Sequence, residues 1–465
     1  MRLDLRENSV GFRQLVRELL TVLGQDQAYE SADDLTALWD LQTSFPGWSQ
    51  LEAKLSERSY DLLAAIVLAH ERWSADPNAV GPCIISMTHK TTDVLWVLWL
   101  YQCVQRWLQF GGGPSIAPLF ETVDDLQRSA DMLRKLFAHP LYRQHLTQAG
   151  SGQTVMIGYS DSAKDGGYVA ACWALYKGQQ EMEQAAAEAG VSLTCFHGRG
   201  GALGRGGGPA ARAIEALLPT PGQARIRMTE QGEVIADRFV DADLAHRHME
   251  QILAGLIRHA ATATTACPEW QSFMNRFSAA SRDAYLAIYQ HEGFYQYFRQ
   301  ATPAAHIESL PIGSRPSRRS GAGSLEDLRA IPFTFSWTQS RQLLNAFYGL
   351  GAAWQACDET DRQLAQEMYL QWPFFRSMID NAELALMKCD DRILMAYSQL
   401  MDDSDAAAEI AGAITMELAA AKEAVLEITD QESLLAKTPW LRQSVERRKP
   451  YLDVLNFMQI ALVKR

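Results

Sequence analysis

The stretch FHGRGGALGRGGGPA, residues 196–210, sets His197, Arg199 and Arg205 among glycines. Arginine presents a planar fork of donors that fits a carboxylate or phosphate through two bonds at once. Glycine lets the backbone turn with φ > 0 and come close to a ligand. The stretch reads as an anion site in which Arg199 is held near a strand end and Arg205 swings. A surface loop with solvated charges is the plainer reading of the same residues. PLFETVDDL (118–126) places Glu121, and IGYSDSAKDGG (157–167) places Asp161 and Lys164, just after apolar runs. Two carboxylates from different strand ends suit Mg2+ or Mn2+; Mg2+ takes one or two protein carboxylates and fills its remaining positions with water and substrate oxygen. Helix N-capping is the structural alternative for both residues. Arg6, Arg315 and Arg329 also fall at strand ends or in loops. Converging with Arg199 and Arg205, they would make a cationic pocket for a small polyanion, such as a phosphate with a carboxylate. Arg318 and Arg319 read as surface charge. His246 and His248 are two apart and share no helix face. The glycine loop lacks the GK[ST] ending of a P-loop.

Short apolar runs must position these residues. They are RLDL (2–5), PCIISM (82–87), SIAPLF (115–120), TVMIGY (154–159), SLTCFH (192–197) and RIRMTE (225–230). Their mostly apolar character predicts strands buried on both faces. Helical patterning falls at 10–23, 31–42, 57–76 and 91–109. Strand, loop and helix repeated in this way predict a parallel α/β barrel or a doubly wound sheet. The polar residues cluster just after the strands, which favours a TIM-type barrel, where strand C-termini converge on one face. From about 241 the pattern is helical apart from the Arg-rich loop 310–333. The expected fold is mostly α with a parallel β/α (TIM-type) barrel core. Residues 1–240 would carry the main part of the barrel and its active-site loops, and 241–465 a large helical region.

The chain has 465 residues and a net charge of −12. That balance argues against a nucleic-acid binder, which needs a broad basic face. The seven cysteines are scattered and none forms a CxxC pair, which suits a reduced, cytoplasmic protein without a thiolate metal site. The N-terminus MRLDLRENSVGFRQ has no apolar h-region. VLWVLWLYQCVQRWL (94–108) is too short to span a bilayer and reads as a buried helix, so no membrane association is expected.

Five longer motifs are more specific. VMIGYSDSAKDGG, FHGRGGALGRGGGPA, RMTEQGEVI, LPIGSRPSRR and SLEDLRAIPFTFSWTQSR occur in this order, with RLDLREN at the start and ISM…DVL at 85–95. Together they resemble the phosphoenolpyruvate carboxylase family over nearly the whole chain. The resemblance implies conversion of phosphoenolpyruvate and bicarbonate to oxaloacetate and phosphate with Mg2+ or Mn2+, a carbon-fixing reaction that feeds the tricarboxylic acid cycle. It implies that Glu121 and Asp161 hold the metal, and that Arg6, Arg199 and Arg329 hold the substrate phosphate. Arg205, with Arg315 nearby, would bind bicarbonate and the intermediate, and Lys164 and His197 would act in the same motifs. It further implies inhibition by aspartate or malate held by Lys388 (in ALMKCDD) and Arg448 (in VERRKPYLDVLN), with Arg205 drawn away from the active site. The family is usually homotetrameric.

Two departures stand out. The family's catalytic-histidine motif, like TAHPTE, is absent, and His89 in SMTHKTTD falls where the family has a different motif. The chain also stops at QIALVKR, short of the family's NTG-like tail. The barrel is therefore expected to be incomplete at the N-terminus. The chain would be a fragment, one half of an enzyme needing a separate N-terminal half, or a non-catalytic sensor or subunit that binds phosphoenolpyruvate or a dicarboxylate.

Overall fold

The computed structural model describes residues 3–25, 44–150, 152–198, 214, 227–228, 232–261, 266–310, 325 and 328–464. The helix expected at 31–42 lies outside them. The chain divides into two compact units. One comprises Met1–Gly158, Lys177–Gly198 and Ile226–Thr229, and the other Tyr159–Tyr176, Arg199–Arg225 and Glu230–Arg465.

The first unit alternates strands and helices: β1 (Leu3–Asn8), α1 (Ser9–Val22), α2 (Trp48–Lys54), α3 (Glu57–Ala75), β2 (Val80–Ser86), α4 (Thr91–Leu108), β3 (Ile116–Phe120), α5 (Val123–Ala138), α6 (Pro140–Gln148), β4 (Gly152–Gly158), β5 (Ser192–Gly198) and β6 (Arg227–Met228). The six strands form one parallel sheet in chain order, β1-β2-β3-β4-β5-β6. A doubly wound sheet reverses its order at a switch point. An unreversed order is that of successive barrel staves. Ile84, Ala117, Leu119, Met156 and Phe196 form a cluster made only of strand side chains. The helices cover the other face. In α1, Phe12, Leu15, Val16, Leu19 and Leu20 are fully buried at helical spacing. In α4, Val94 through Tyr101 are all buried, as the sequence predicted for that stretch. Among the described residues no helix is long and apolar enough to cross a membrane.

No backbone ladder joins β6 to β1 among the described residues, so the sheet is a partial barrel rather than a closed ring. Side chains span the opening: an Arg227 Nη on β6 donates to Asp4 Oδ1 on β1 at 2.6 Å. The Arg227 guanidinium also lies 4.5 Å from the Phe196 ring centroid. Gly81 makes room for the pair, because a Cβ there would overlap the Asp4 carboxylate.

The second unit is helical, as the sequence from 241 onward predicts. Its helices are α7 (Ser160–Gly166), the first part of α8 (Tyr168–Glu188), α9 (Gly232–Phe239), α10 (Ala242–Ala261), α11 (Pro268–Tyr289), α12 (Phe294–Gln300), α13 (Ala304–Ser309), α14 (Ala330–Gln339), α15 (Leu350–Gln355), α16 (Glu359–Gln371), α17 (Pro373–Lys388), α18 (Asp391–Ser398), α19 (Ser404–Thr429) and α20 (Pro439–Val463). Two aromatic cores hold it. Trp270 stacks on Trp372 in one, and Trp337 sits among Phe294, Phe298 and Phe333 in the other. The buried Glu417 caps α15: it accepts N–H bonds from Gly349 at 2.9 Å, Gly351 at 2.7 Å and Ala352 at 3.1 Å.

Candidate functional site

In the first unit the C-terminal ends of β1, β2 and β3 bring Arg6, Met87 and Glu121 together. Glu121 follows β3 directly and is 5% exposed. The caps of α5 are made by Thr122 and Asp125, whose side chains bond each other's backbone N–H. Glu121 stands outside that capping box. Its Oε2 accepts the Met87 N–H at 2.8 Å, and its Oε1 lies 3.8 Å from an Arg6 Nη. One carboxylate oxygen is thus fixed by a backbone donor while the other faces a cation. Gly158, ending β4, lies so close that a Cβ there would meet Glu121 Cα at 3.3 Å. His197 sits on β5, buried, in register with Ile157 of β4 and Met228 of β6.

The turn after β2 is unusual. Met87 has φ of 56°, left-handed for a residue with a side chain. Five hydrogen bonds hold it. Ser9 Oγ donates to the Met87 carbonyl at 2.7 Å, and Thr88 Oγ1 donates to the Ile85 carbonyl at 2.7 Å. Asp93 accepts the N–H groups of His89 and Lys90, both at 3.0 Å. His89 Nδ1 donates to Asp125 Oδ1 at 2.7 Å. That bond raises the His89 imidazole above its usual range despite burial. Burial pushes the Asp125 carboxyl up, but the bonds from His89 and Thr122 outweigh it and hold the group low.

In the second unit Asp161 lies in the first turn of α7, whose N-cap, Tyr159, makes no side-chain capping bond. Lys164 is buried, and its Nζ donates to the Leu328 carbonyl and lies 5.9 Å from the Phe333 ring. Tyr285 donates its hydroxyl to the Lys164 carbonyl at 2.7 Å. These contacts bring α7 beside Arg329, the N-cap residue of α14. Arg199, Arg205 and Arg315 lie outside the described residues.

Farther along the second unit, Lys388 ends α17 and Arg448 lies on α20. Burial, and then the charge of Arg448, push the Lys388 ammonium below its usual range. The sequence reading gave no role to Arg341, the last residue of the SLEDLRAIPFTFSWTQSR motif. It is 5% exposed, with φ of 55°. It donates to the Lys388 carbonyl at 3.2 Å, to Asp453 at 2.5 Å and to Asp390 at 3.4 Å. It thereby ties α20 to the end of α17.

A buried carboxylate with one directed oxygen is hard-donor chemistry of the kind Mg2+ and Mn2+ take. Glu121 fits that role, and Asp161 is a half-buried carboxylate on the other unit. Among the described residues no group of three or more His, Cys, Asp or Glu gathers at metal-ligand spacing.

Comparison with known proteins agrees with the motifs. A family model described as phosphoenolpyruvate carboxylase matches residues 1–465. A phosphoenolpyruvate carboxylase of Roseiflexus castenholzii is 40% identical over 484 residues, covering 100% of this chain and 51% of that protein. Those of Rhodothermus marinus and Nocardia farcinica are 36% and 37% identical, each covering 100% of this chain and 52% of the relative. The chain spans about half the length of the curated relatives it matches.

Proposed function

The chain belongs to the phosphoenolpyruvate carboxylase family, and on that premise we propose that it forms the metal- and phosphate-binding half of a cytoplasmic carboxylase. The reaction is carboxylation of phosphoenolpyruvate by bicarbonate to oxaloacetate and phosphate. Glu121 and Asp161 would hold Mg2+ or Mn2+, which when bound would draw negative charge from the substrate's oxygens. Arg6, Arg199 and Arg329 would grip the substrate phosphate. The phosphoryl group passes to bicarbonate, giving carboxyphosphate and the enolate of pyruvate. Carboxyphosphate then loses phosphate, and the enolate attacks the released CO2. Arg205 and Arg315 would hold bicarbonate and the intermediate, and Lys164 and His197 would take part in the chemistry. Catalysis of this kind is positioning and charge stabilisation, to which converging arginines and a directed carboxylate would contribute. Lys388 and Arg448 would take the carboxylates of aspartate or malate, and the working enzyme would be a homotetramer that includes the relatives' further length.

The observation that carries this reading is the buried Glu121 carboxylate, clamped by the Met87 N–H and facing Arg6 at the strand ends. Titration calorimetry with phosphoenolpyruvate in the presence of Mn2+ tests it. Binding that weakens by about 10-fold or more in Glu121→Gln supports it, by analogy with single-ligand losses at other metal sites. Binding of equal strength in the variant contradicts it.

A further inference from the structure

We infer that His89 and Asp125 form a positioning pair that aims the Met87 N–H at Glu121. The contacts close a circuit. Glu121 Oε2 accepts from Met87, two residues along is His89, its ring donates to Asp125, and the first turn of α5 leads back through Thr122 to Glu121.

A capping box needs only one oxygen of Asp125, and Oδ2 serves it by accepting the Thr122 N–H at 3.2 Å. The other oxygen, Oδ1, is given to an imidazole on a different strand's loop, with Arg128 farther off at 3.8 Å. Asp125 is 1% exposed, so this commitment is made in a desolvated place, where an oriented charged bond counts for more. Met87 is left-handed, a conformation that a residue with a side chain keeps only when its surroundings hold it. Ser9 fixes the turn to the start of α1, Thr88 fixes it to β2, and Asp93 fixes it to α4. Among the described contacts, the His89 ring is what fixes it to α5, the helix that begins beside Glu121. His89 therefore acts through Met87 on the orientation of the carboxylate.

The part of this inference that concerns metal affinity rests on the proposed role of Glu121; the part that concerns the turn does not. The test uses three variants of the full chain. In His89→Asn the amide nitrogen can replace Nδ1. In His89→Gln the donor is displaced outward. In His89→Ala it is gone. Hydrogen exchange of the segment 84–90 is followed by mass spectrometry, and Mn2+ affinity by titration. The expected result is exchange at Met87 faster by about tenfold in the Ala and Gln variants and near wild type in Asn. Mn2+ affinity is expected to fall by about tenfold in Ala and Gln, the usual effect of losing an outer hydrogen bond on a metal ligand, and to recover in Asn. Exchange unchanged in Ala and Gln overturns the inference, as does equal disturbance in all three variants. If the wild-type chain binds no Mn2+, the metal role of Glu121 fails, and the exchange comparison still decides the pair.

Discussion

Replacing Arg341 with methionine should loosen the C-terminal helix α20 and leave the aromatic cores intact. The helix buries only Val445, Asn456 and Ile460 among its described residues. Two apolar side chains at about 1.5–3 kcal/mol each give roughly 3–6 kcal/mol of hold. Asn456 donates to the Gln339 carbonyl at 2.7 Å and to Tyr397 Oη at 3.4 Å, and Gln459 accepts from the Tyr397 hydroxyl, each bond worth about 1 kcal/mol. Breaking a buried ion pair by removing one partner costs about 3–5 kcal/mol. Here the loss is smaller, because the exposed Arg392 still contacts Asp390 at 3.2 Å and Asp453 at 3.0 Å. A cost of about 2–3 kcal/mol is the working value, which is a large part of what ties α20 down. Local opening should then be about 30- to 150-fold more frequent. Hydrogen exchange across 439–463 reads this directly, with the segment 268–289 as internal control. The Lys388 carbonyl also loses a donor, so the aspartate binding proposed at Lys388 should weaken in the same variant. Exchange in α20 within threefold of wild type would refute the reasoning, since the Arg341 network would then carry no load.

Other consequences are as direct. Gly349 has φ of 92°, and a Cβ there would overlap the Ser281 carbonyl oxygen; Gly349→Ala should cost about 3 kcal/mol from strain and overpacking together. A loss under about 1 kcal/mol in chemical denaturation would contradict that geometry. His70 and His145 are buried, and burial holds both imidazoles down to about 4. Their folded values lie below the unfolded value, so their contribution is present above about pH 6.5 and is lost as pH falls toward 4. Unfolding in that window should take up as many as two protons, and His145→Gln should remove one. A variant with the same pH slope as wild type would show that His145 titrates normally.

The barrel frame was legible because central strands such as β2 and β3 are covered on both faces and mostly apolar, and each is followed by a helix. Chain order could be read only as one of two options, and the observed ladder settled it. The Arg227–Asp4 bridge was not legible, since it joins residues 223 apart in sequence. Glu121 could be found from its place after the apolar run 115–120. Its partner could not, because nothing in SMTHK marks Met87 as left-handed, a conformation that ordinarily points to glycine or asparagine. His89 was noticed and set aside; its meaning depends on Asp125, 36 residues later. Lys388 and Arg448 follow from the motifs, but Arg341, which bonds the Lys388 carbonyl and Asp453, has no local signature of its buried role. A lone arginine after a helix ordinarily reads as surface charge.

The most direct test of the central claim is product analysis. The chain is incubated with phosphoenolpyruvate, bicarbonate and Mg2+, alone and with the N-terminal half of the Roseiflexus relative added in trans. Oxaloacetate and pyruvate are measured separately. The account predicts bicarbonate-dependent oxaloacetate when the N-terminal half is supplied, and its loss in Glu121→Gln. Neither product, with both halves present, folded and associated, would contradict it.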